Sequence, residues 1–269
     1  MKVLAVFGSP IVHSLSPRLH NAAIRHFKLE GFYGRYESSF STLAQDFYAL
    51  NLSGANVTLP FKERALELAS SASDVAQRLG SANVLLRLDC GSLRADNTDY
   101  EGFLQMMRGI NCGSFDCGAK RALILGAGGS AKALAPALRE LGMQVVITNR
   151  SPGRLKDFQN EYECLLHEDL KGLEFDLLLN CSSASLSGEL PASADLLQSM
   201  RPRQVIDIFY GKSPFLELFG CEVKADGLEM LIYQAALAFR LFFGEYDLEL
   251  LELVEVMRKA ANYGSKNAS

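Results

Sequence analysis

Short apolar runs alternate along this chain with amphipathic stretches, the pattern of buried parallel strands joined by half-buried helices. Val3 to Phe7 reads as a buried strand closed by Gly8-Ser9-Pro10, and Ser16-Pro17 then opens a helix towards Lys28, Ser as N-cap and Pro as first residue. Phe32 to Ser38 predicts a strand and Thr42 to Leu50 a helix. Gly54-Ala-Asn-Val-Thr-Leu-Pro60 is strand-like, and Pro60 begins a helix carrying Phe61, Lys62 and Leu66. Asp74 to Leu79 is helical and stops at Gly80. Val84–Leu88 and Ser92–Ala95 flank Asp89-Cys90-Gly91 as the arms of a hairpin. A helix from Asp99 to about Met107 follows, and the glycine-rich stretch Gly109–Lys120 reads as a connector.

The alternation restarts at Arg121. Strands are expected at Ala122–Leu125, Val145–Thr148, Asp176–Asn180 and Gln204–Phe209, with helices up to Leu141 and over Arg154–Tyr162. Repeated β/α alternation with short links predicts a doubly wound parallel sheet. From Met230 to Phe243 and from Leu248 to Met257 the apolar spacing is helical, and these helices are expected to pack back on the N-terminal unit. The tail from Gly264 is polar and expected to fray. The fold class is therefore α/β: two α/β domains with a cleft between them. Residues 1–98, completed by helices in 228–269, form a substrate domain, and 99–227 form a Rossmann-like dinucleotide domain.

Composition narrows the function. A formal net charge of −4 gives no reason to expect nucleic acid or an anionic membrane as partner. The cysteines, Cys90, Cys112, Cys117, Cys164, Cys181 and Cys221, form no C-x-x-C pair, and no clustered histidines support a metal site. The N-terminal apolar run is too short for a signal peptide and no window approaches a membrane span, so a cytoplasmic location is expected.

Arg121-Ala-Leu-Ile-Leu-Gly-Ala-Gly-Gly-Ser-Ala131 is a strand, a glycine turn and a helix start in that order, the context a dinucleotide fingerprint requires. Gly126 allows the tight turn, Gly128 lets the backbone approach a pyrophosphate, and Ala131 takes the third small position. Helix-start N–H groups, with Ala127, Gly129 and Ser130 around them, suit phosphate. An ordinary glycine-rich βα turn is the competing explanation. The acid that holds a ribose 2′-hydroxyl about 20 residues on in NAD sites is absent. Asn149-Arg150-Ser151 stands there, with Arg154 behind, and a guanidinium pairs with a 2′-phosphate that a carboxylate would repel. The cofactor expected is NADP.

In the first hundred residues, Ser14 and Ser16 enter a helix where two hydroxyls suit a carboxylate, although a plain N-cap is the commoner role of Ser16. His13 and His20 read as scaffold. Lys62 falls in the first turn of a helix, where the dipole opposes a cation; it is either a solvated lysine or one set up for proton transfer. Asp99, in Asp96-Asn-Thr-Asp99, is a candidate neighbour that can also cap a helix, and Thr58 and Asn83 add neutral hydrogen-bonding groups. Spacing alone does not bring them together.

These segments, in order, resemble the shikimate dehydrogenase family. Gly8-Ser-Pro-Ile-Val-His-Ser-Leu-Ser-Pro-Arg-Leu-His-Asn21 is similar to its N-terminal signature, Gly54-Ala-Asn-Val-Thr-Leu-Pro-Phe-Lys62 to its catalytic-lysine motif, and Asp96-Asn-Thr-Asp99 to its aspartate motif. The Gly126 loop and Asn149-Arg150 resemble its NADP segments, and Asp226-Gly-Leu-Glu-Met-Leu-Ile-Tyr-Gln234 its C-terminal substrate motif. The resemblance implies reversible NADPH-dependent reduction of 3-dehydroshikimate to shikimate in chorismate and aromatic amino-acid biosynthesis. It casts Lys62 and Asp99 as the acid/base dyad, and Ser14, Ser16 and Tyr210 as carboxylate ligands. Thr58, Asn83, Asp99 and Gln234 would hold ring hydroxyls. NADP would lie on Gly126, Ala127, Gly128, Gly129 and Ser130, its 2′-phosphate at Asn149, Arg150, Ser151 and Arg154, with Asp74, Ile208 and Gly227 towards the nicotinamide.

The chain departs from the family pattern at Val84 (usually Thr), Tyr100 (usually Gly), and Ser185 and Leu186 (commonly Gly and Met). Its Tyr210–Pro214 loop is about two residues shorter than in many members. Rival readings are a dehydrogenase that also takes quinate, perhaps with NAD, and a catalytically silent ligand sensor. Whether the protein is a monomer or a homodimer is not legible.

Overall fold

The computed structural model describes residues 1–110 and 120–262. Most of the expected connector, with Cys112 and Cys117, and the polar tail lie outside the described residues. The chain divides into two α/β units, Met1–Gly102 with Leu231–Ser269, and Phe103–Met230.

The first unit runs β1 (Lys2–Gly8), α1 (Ser16–His26), β2 (Gly31–Glu37), α2 (Leu43–Ala49), β3 (Gly54–Val57), α3 (Lys62–Leu68), β4 (Ser71–Ala72), α4 (Asp74–Leu79), β5 (Val84–Arg87), β6 (Leu93–Asp96) and the start of α5 (Asp99–Ile110). Its sheet has the order β2-β1-β3-β5-β6-β4. β1 pairs in parallel with β2 and β3, whereas the β5/β6 hairpin is antiparallel and joins β3 by antiparallel pairing. Phe7, Leu43, Phe47, Ala55, Val57, Phe61 and Leu85 form a core on this sheet.

The second unit holds β7 (Arg121–Leu125), α6 (Gly129–Glu140), β8 (Gln144–Thr148), β9 (Glu163–Leu165), β10 (Leu177–Asn180), α7 (Ala194–Ser199), β11 (Gln204–Asp207), α8 (Pro214–Glu217) and β12 (Val223–Ala225). Its six strands lie in the order β12-β11-β10-β7-β8-β9, all parallel. The order reverses between β7 and β10, and ligands of such sheets bind beyond the strand C-termini at that switch point. The chain then forms α9 (Leu228–Phe242) and α10 (Leu250–Asn262). As expected, these helices return to the first unit: α10 packs on α1, and Gly54 admits Phe242, whose ring lies 2.7 Å from where a Cβ would stand.

Several local expectations need correction. The helix expected over Arg154–Tyr162 is a 3-10 turn over Pro152–Asp157. Leu155 within it and Phe158 just after it are buried three residues apart, the spacing of three residues per turn, and Gly153 weakens a longer helix. Ser16 is not the N-cap of α1. Leu15 occupies that place without a side-chain bond, while the Ser14 hydroxyl accepts from Ser16 N at 3.3 Å. Pro60 precedes α3 rather than opening it: the Phe61 N–H closes a turn on the Thr58 carbonyl, and Lys62 is the first helical residue.

Candidate active site

Lys62, Asn83, Asp99 and Gln234 lie far apart in sequence, and the first unit brings them into contact. Asn83 enters β5 with its backbone tied on both sides, its N–H to the Asp96 carbonyl (3.0 Å) and its carbonyl to Val57 N–H (2.8 Å). Beside it, Ala82 N–H donates to the Lys62 carbonyl at 2.9 Å, which fixes the start of α3 against the hairpin. Asn97 caps α5, its Oδ1 accepting from Asp99 N–H at 3.0 Å and Tyr100 N–H at 3.4 Å. The Asp99 carboxyl is thus released from the capping role open to it.

That carboxyl sits between two donors. Lys62 Nζ reaches Oδ2 at 2.7 Å, and Asn83 Nδ2 reaches Oδ1 at 2.8 Å. The pair is enclosed, with side-chain exposures of 11% for Lys62 and 6% for Asp99. The cation at the helix start is opposed by the α3 dipole, and the adjacent carboxylate offsets that field. Asn83 Nδ2 also lies 3.0 Å from Thr98 Oγ1 and 3.2 Å from Gln234 Oε1, while its Oδ1 accepts from Thr98 N–H at 2.8 Å. Gln234 Nε2 is held by the Leu231 carbonyl at 3.0 Å. Ammonium, carboxylate, carboxamides and a threonine hydroxyl therefore converge, a set able to hold a polyol and move one proton.

Two residues that sequence reading passed over help to build this cluster. Gly102 lies one turn along α5, where an added Cβ would stand 2.8 Å from Gln234 Cβ and 2.9 Å from its backbone N. Only a glycine lets α9 come this close, and a glycine inside a helical pattern was the available signal. Asn56 continues the network inward: it accepts from Tyr33 Oη at 2.7 Å and donates to the Asn83 carbonyl at 3.2 Å. Below it His20 is fully buried, stacked 4.1 Å from the Tyr33 ring, with no partner for either ring nitrogen among the described residues. Burial drives its pKa down to about 3.

Ser14, Ser16 and Thr58 stand beyond the C-terminal ends of neighbouring parallel strands. Both serines are buried, and the Thr58 methyl is 2.6 Å from a Cβ position on Gly8. The departures Val84 and Tyr100 leave the cluster intact: Val84 is buried in β5, and the Tyr100 ring lies 5.2 Å from the Arg78 guanidinium. Asp74 is exposed at the start of α4.

In the second unit the glycine turn takes the expected shape. Gly126 has φ +114°, and a Cβ there would meet Ser182 N at 2.9 Å. At Gly128, the residue before α6, a Cβ would meet nothing within 4 Å, leaving open space over the helix N-terminus. Ala131 is fully buried against the sheet. Asn149 braces the turn, accepting from Ala127 N–H at 3.3 Å and donating to the Ser151 carbonyl at 3.0 Å. Arg150, Ser151 and Arg154 are exposed just past β8. Open backbone at a helix start and exposed guanidinium groups beyond the next strand fit a dinucleotide with a 2′-phosphate. On the other side of β7, Gly227 packs on the Ile208 carbonyl, leaving no room for a Cβ, and Tyr210 stacks on Phe209.

Comparison with known proteins identifies the family. Residues 6–85 match the shikimate dehydrogenase substrate binding domain, and residues 227–246 the shikimate 5′-dehydrogenase C-terminal domain. The NADP(+) shikimate dehydrogenases of Helicobacter pylori and Helicobacter acinonychis are each 40% identical over 96% of this chain and 98% of their own lengths. Among solved structures, shikimate dehydrogenase 1 from Peptoclostridium difficile superposes with a TM-score of 0.86 at 26% identity, covering 98% of this chain and 99% of that one. Shikimate 5-dehydrogenase from Thermus thermophilus, in complex with NADP(H) and shikimate, gives 0.80 at 33% identity over 97% of this chain and all of that one. Near-complete coverage and identity at this level leave one conclusion: the chain belongs to the shikimate dehydrogenase family.

Proposed function

We propose that this protein catalyses the reversible, NADPH-dependent reduction of 3-dehydroshikimate to shikimate, a step of chorismate and aromatic amino-acid biosynthesis, with Lys62 and Asp99 as its acid/base dyad. The Lys62–Asp99 pair carries the reading: an enclosed ammonium 2.7 Å from a carboxylate, amid hydrogen-bonding groups suited to ring hydroxyls. Relatives named for this reaction with NADP(+) and a neighbour that binds both NADP(H) and shikimate support it.

When bound, NADPH supplies the hydride. As it reaches the C3 carbonyl carbon, the oxygen gains negative charge, and Lys62 Nζ gives it a proton. In the reverse direction Lys62 takes the hydroxyl proton as hydride leaves C3. Asp99 holds the ammonium in line and accepts from a ring hydroxyl. Asn83, Gln234 and Thr58 hold the other hydroxyls, and Ser14, Ser16 and Tyr210 the carboxylate. Gly126 to Ser130 hold the pyrophosphate, and Asn149, Arg150, Ser151 and Arg154 the 2′-phosphate end. Ile208, Gly227 and Asp74 are assigned to the nicotinamide end. The protein acts in the cytoplasm as a monomer or homodimer, without a nucleic-acid partner.

The test is NADPH formation by purified protein given NADP and shikimate at neutral to alkaline pH, with quinate in parallel. Turnover with shikimate and much less with quinate is expected. No turnover with either would leave the ligand-sensor reading ahead, and equal turnover the broader quinate/shikimate reading.

A further inference from the structure

Asp207, the last residue of β11, is fully buried and gathers four donors, three from the loops after β10 and β11 and one from the end of β10. Its Oδ2 accepts from Ser185 Oγ at 2.5 Å and Ser213 Oγ at 2.6 Å, and its Oδ1 from Phe209 N–H at 3.0 Å and Asn180 Nδ2 at 3.2 Å. Asn180, the last residue of β10, is also fully buried and passes the connection on: its Oδ1 accepts from Ser182 Oγ at 2.7 Å and Ser182 N–H at 3.0 Å. Ser182 N is the atom that an added Cβ on Gly126 would strike. A continuous polar chain therefore ties the loop after β11 to the loop after β10, and that loop packs closely against Gly126 at the head of the glycine turn.

These loops lie on one side of β7, whereas Arg150 follows β8 on the other. A dinucleotide crossing the switch point with its 2′-phosphate at Arg150 places its nicotinamide riboside over β10 and β11. We propose that Asp207, with Ser185 and Ser213, is a positioning cluster that sets the loops holding the nicotinamide half of the cofactor. This rests on the NADP reading above. It also accounts for two departures from the family pattern. The Ser185 hydroxyl points into Asp207 instead of lining a cofactor wall. Ser213 anchors the shortened loop twice, donating to Asp207 and accepting from Leu216 N–H at 3.2 Å to cap α8. A buried polar network of this kind specifies one loop geometry, and removing a member leaves its partners unsatisfied.

The test compares two ligands on the full-length protein, NADPH and adenosine 2′,5′-bisphosphate, which keeps the 2′-phosphate and lacks the nicotinamide. Asp207→Asn should weaken NADPH about tenfold or more, the scale of a lost hydrogen bond to a charged group, and leave the bisphosphate within about twofold. Ser185→Ala and Ser213→Ala, which keep the carboxylate and are safer for folding, should show the same split at about threefold or more. Parallel losses of both ligands, or no loss of either, would mean that the cluster serves stability alone and would overturn the proposal. Wild-type protein that binds neither ligand would overturn the NADP reading and this proposal with it.

Discussion

The substrate and cofactor clusters are built in opposite ways. In the first unit the proposed chemistry rests on side chains from four separate segments, Lys62, Asn83, Asp99 and Gln234, already joined by hydrogen bonds of 2.7 to 3.2 Å. In the second, the cofactor loop is one local stretch of backbone whose shape depends on Gly126 at φ +114°, with Arg150 and Arg154 left exposed for an anion. Proton transfer needs groups held to a fraction of an ångström, which cross-linked side chains provide. Phosphate binding needs N–H donors and positive charge, which a helix start and a following strand end provide from backbone and exposed side chains. Damage to the first region should therefore appear in turnover or in shikimate binding, and damage to the second in cofactor affinity.

The largest effect is expected at Lys62. Lys62→Ala should lower kcat by about two to four decades with modest change in KM for shikimate, the scale of a lost general acid/base. Steady-state rates check this, and an unchanged kcat would make Lys62 structural. On the cofactor side, Arg150→Ala should raise KM for NADP by about 10- to 100-fold through loss of a charge-assisted pair, and leave KM for NAD nearly unchanged. Equal effects on both cofactors would sink the 2′-phosphate assignment.

A smaller change sharpens the comparison within the first unit. Gly102→Ala would push its Cβ against Gln234 and move α9 off Asn83, so KM for shikimate should rise about three- to tenfold while NADPH affinity holds, the scale of one disturbed hydrogen bond. A loss in NADPH affinity as large as that for shikimate would show that the two sites are not independent.

A separate effect concerns stability and touches neither site. Burial lowers the His20 pKa from 6.5 in the unfolded chain to about 3 in the folded one. The unfolded state therefore binds the extra proton: the contribution is full above the unfolded value and is lost as pH falls towards the folded one. Each pH unit in that window removes about 1.4 kcal/mol. Denaturant melts of His20→Leu should show a shallower decline with acid than wild type. Parallel curves for the two proteins would contradict the assignment.

Much of the fold was legible because its signals are local. The strand, glycine and helix order around Gly126, and the Asp74–Leu79 helix stopped by Gly80 at φ +62°, are written in contiguous residues. Short elements such as β9, α8 and β12 span only three or four residues each and have no periodicity to read. Candidate site residues were nameable one by one, but their convergence was not, since nothing in the spacing of Lys62, Asn83 and Gln234 encodes the pairing of β3, β5 and β6 that gathers them. The same holds for the cap of α5. Asp99 and Asn97 are both credible caps in sequence, and only the fold shows Asn97 taking the role. Ser185 stood out as a departure, yet its partner Asp207 lies 22 residues away on another strand.

The central claim is that proton transfer and cofactor binding are divided between the two units. Its most direct test is the NADPH dissociation constant of Lys62→Ala, measured on the same preparation whose kcat has fallen. The account predicts a value within about twofold of wild type, as for a side chain assigned to the substrate and not to the cofactor. A tenfold weakening would contradict it.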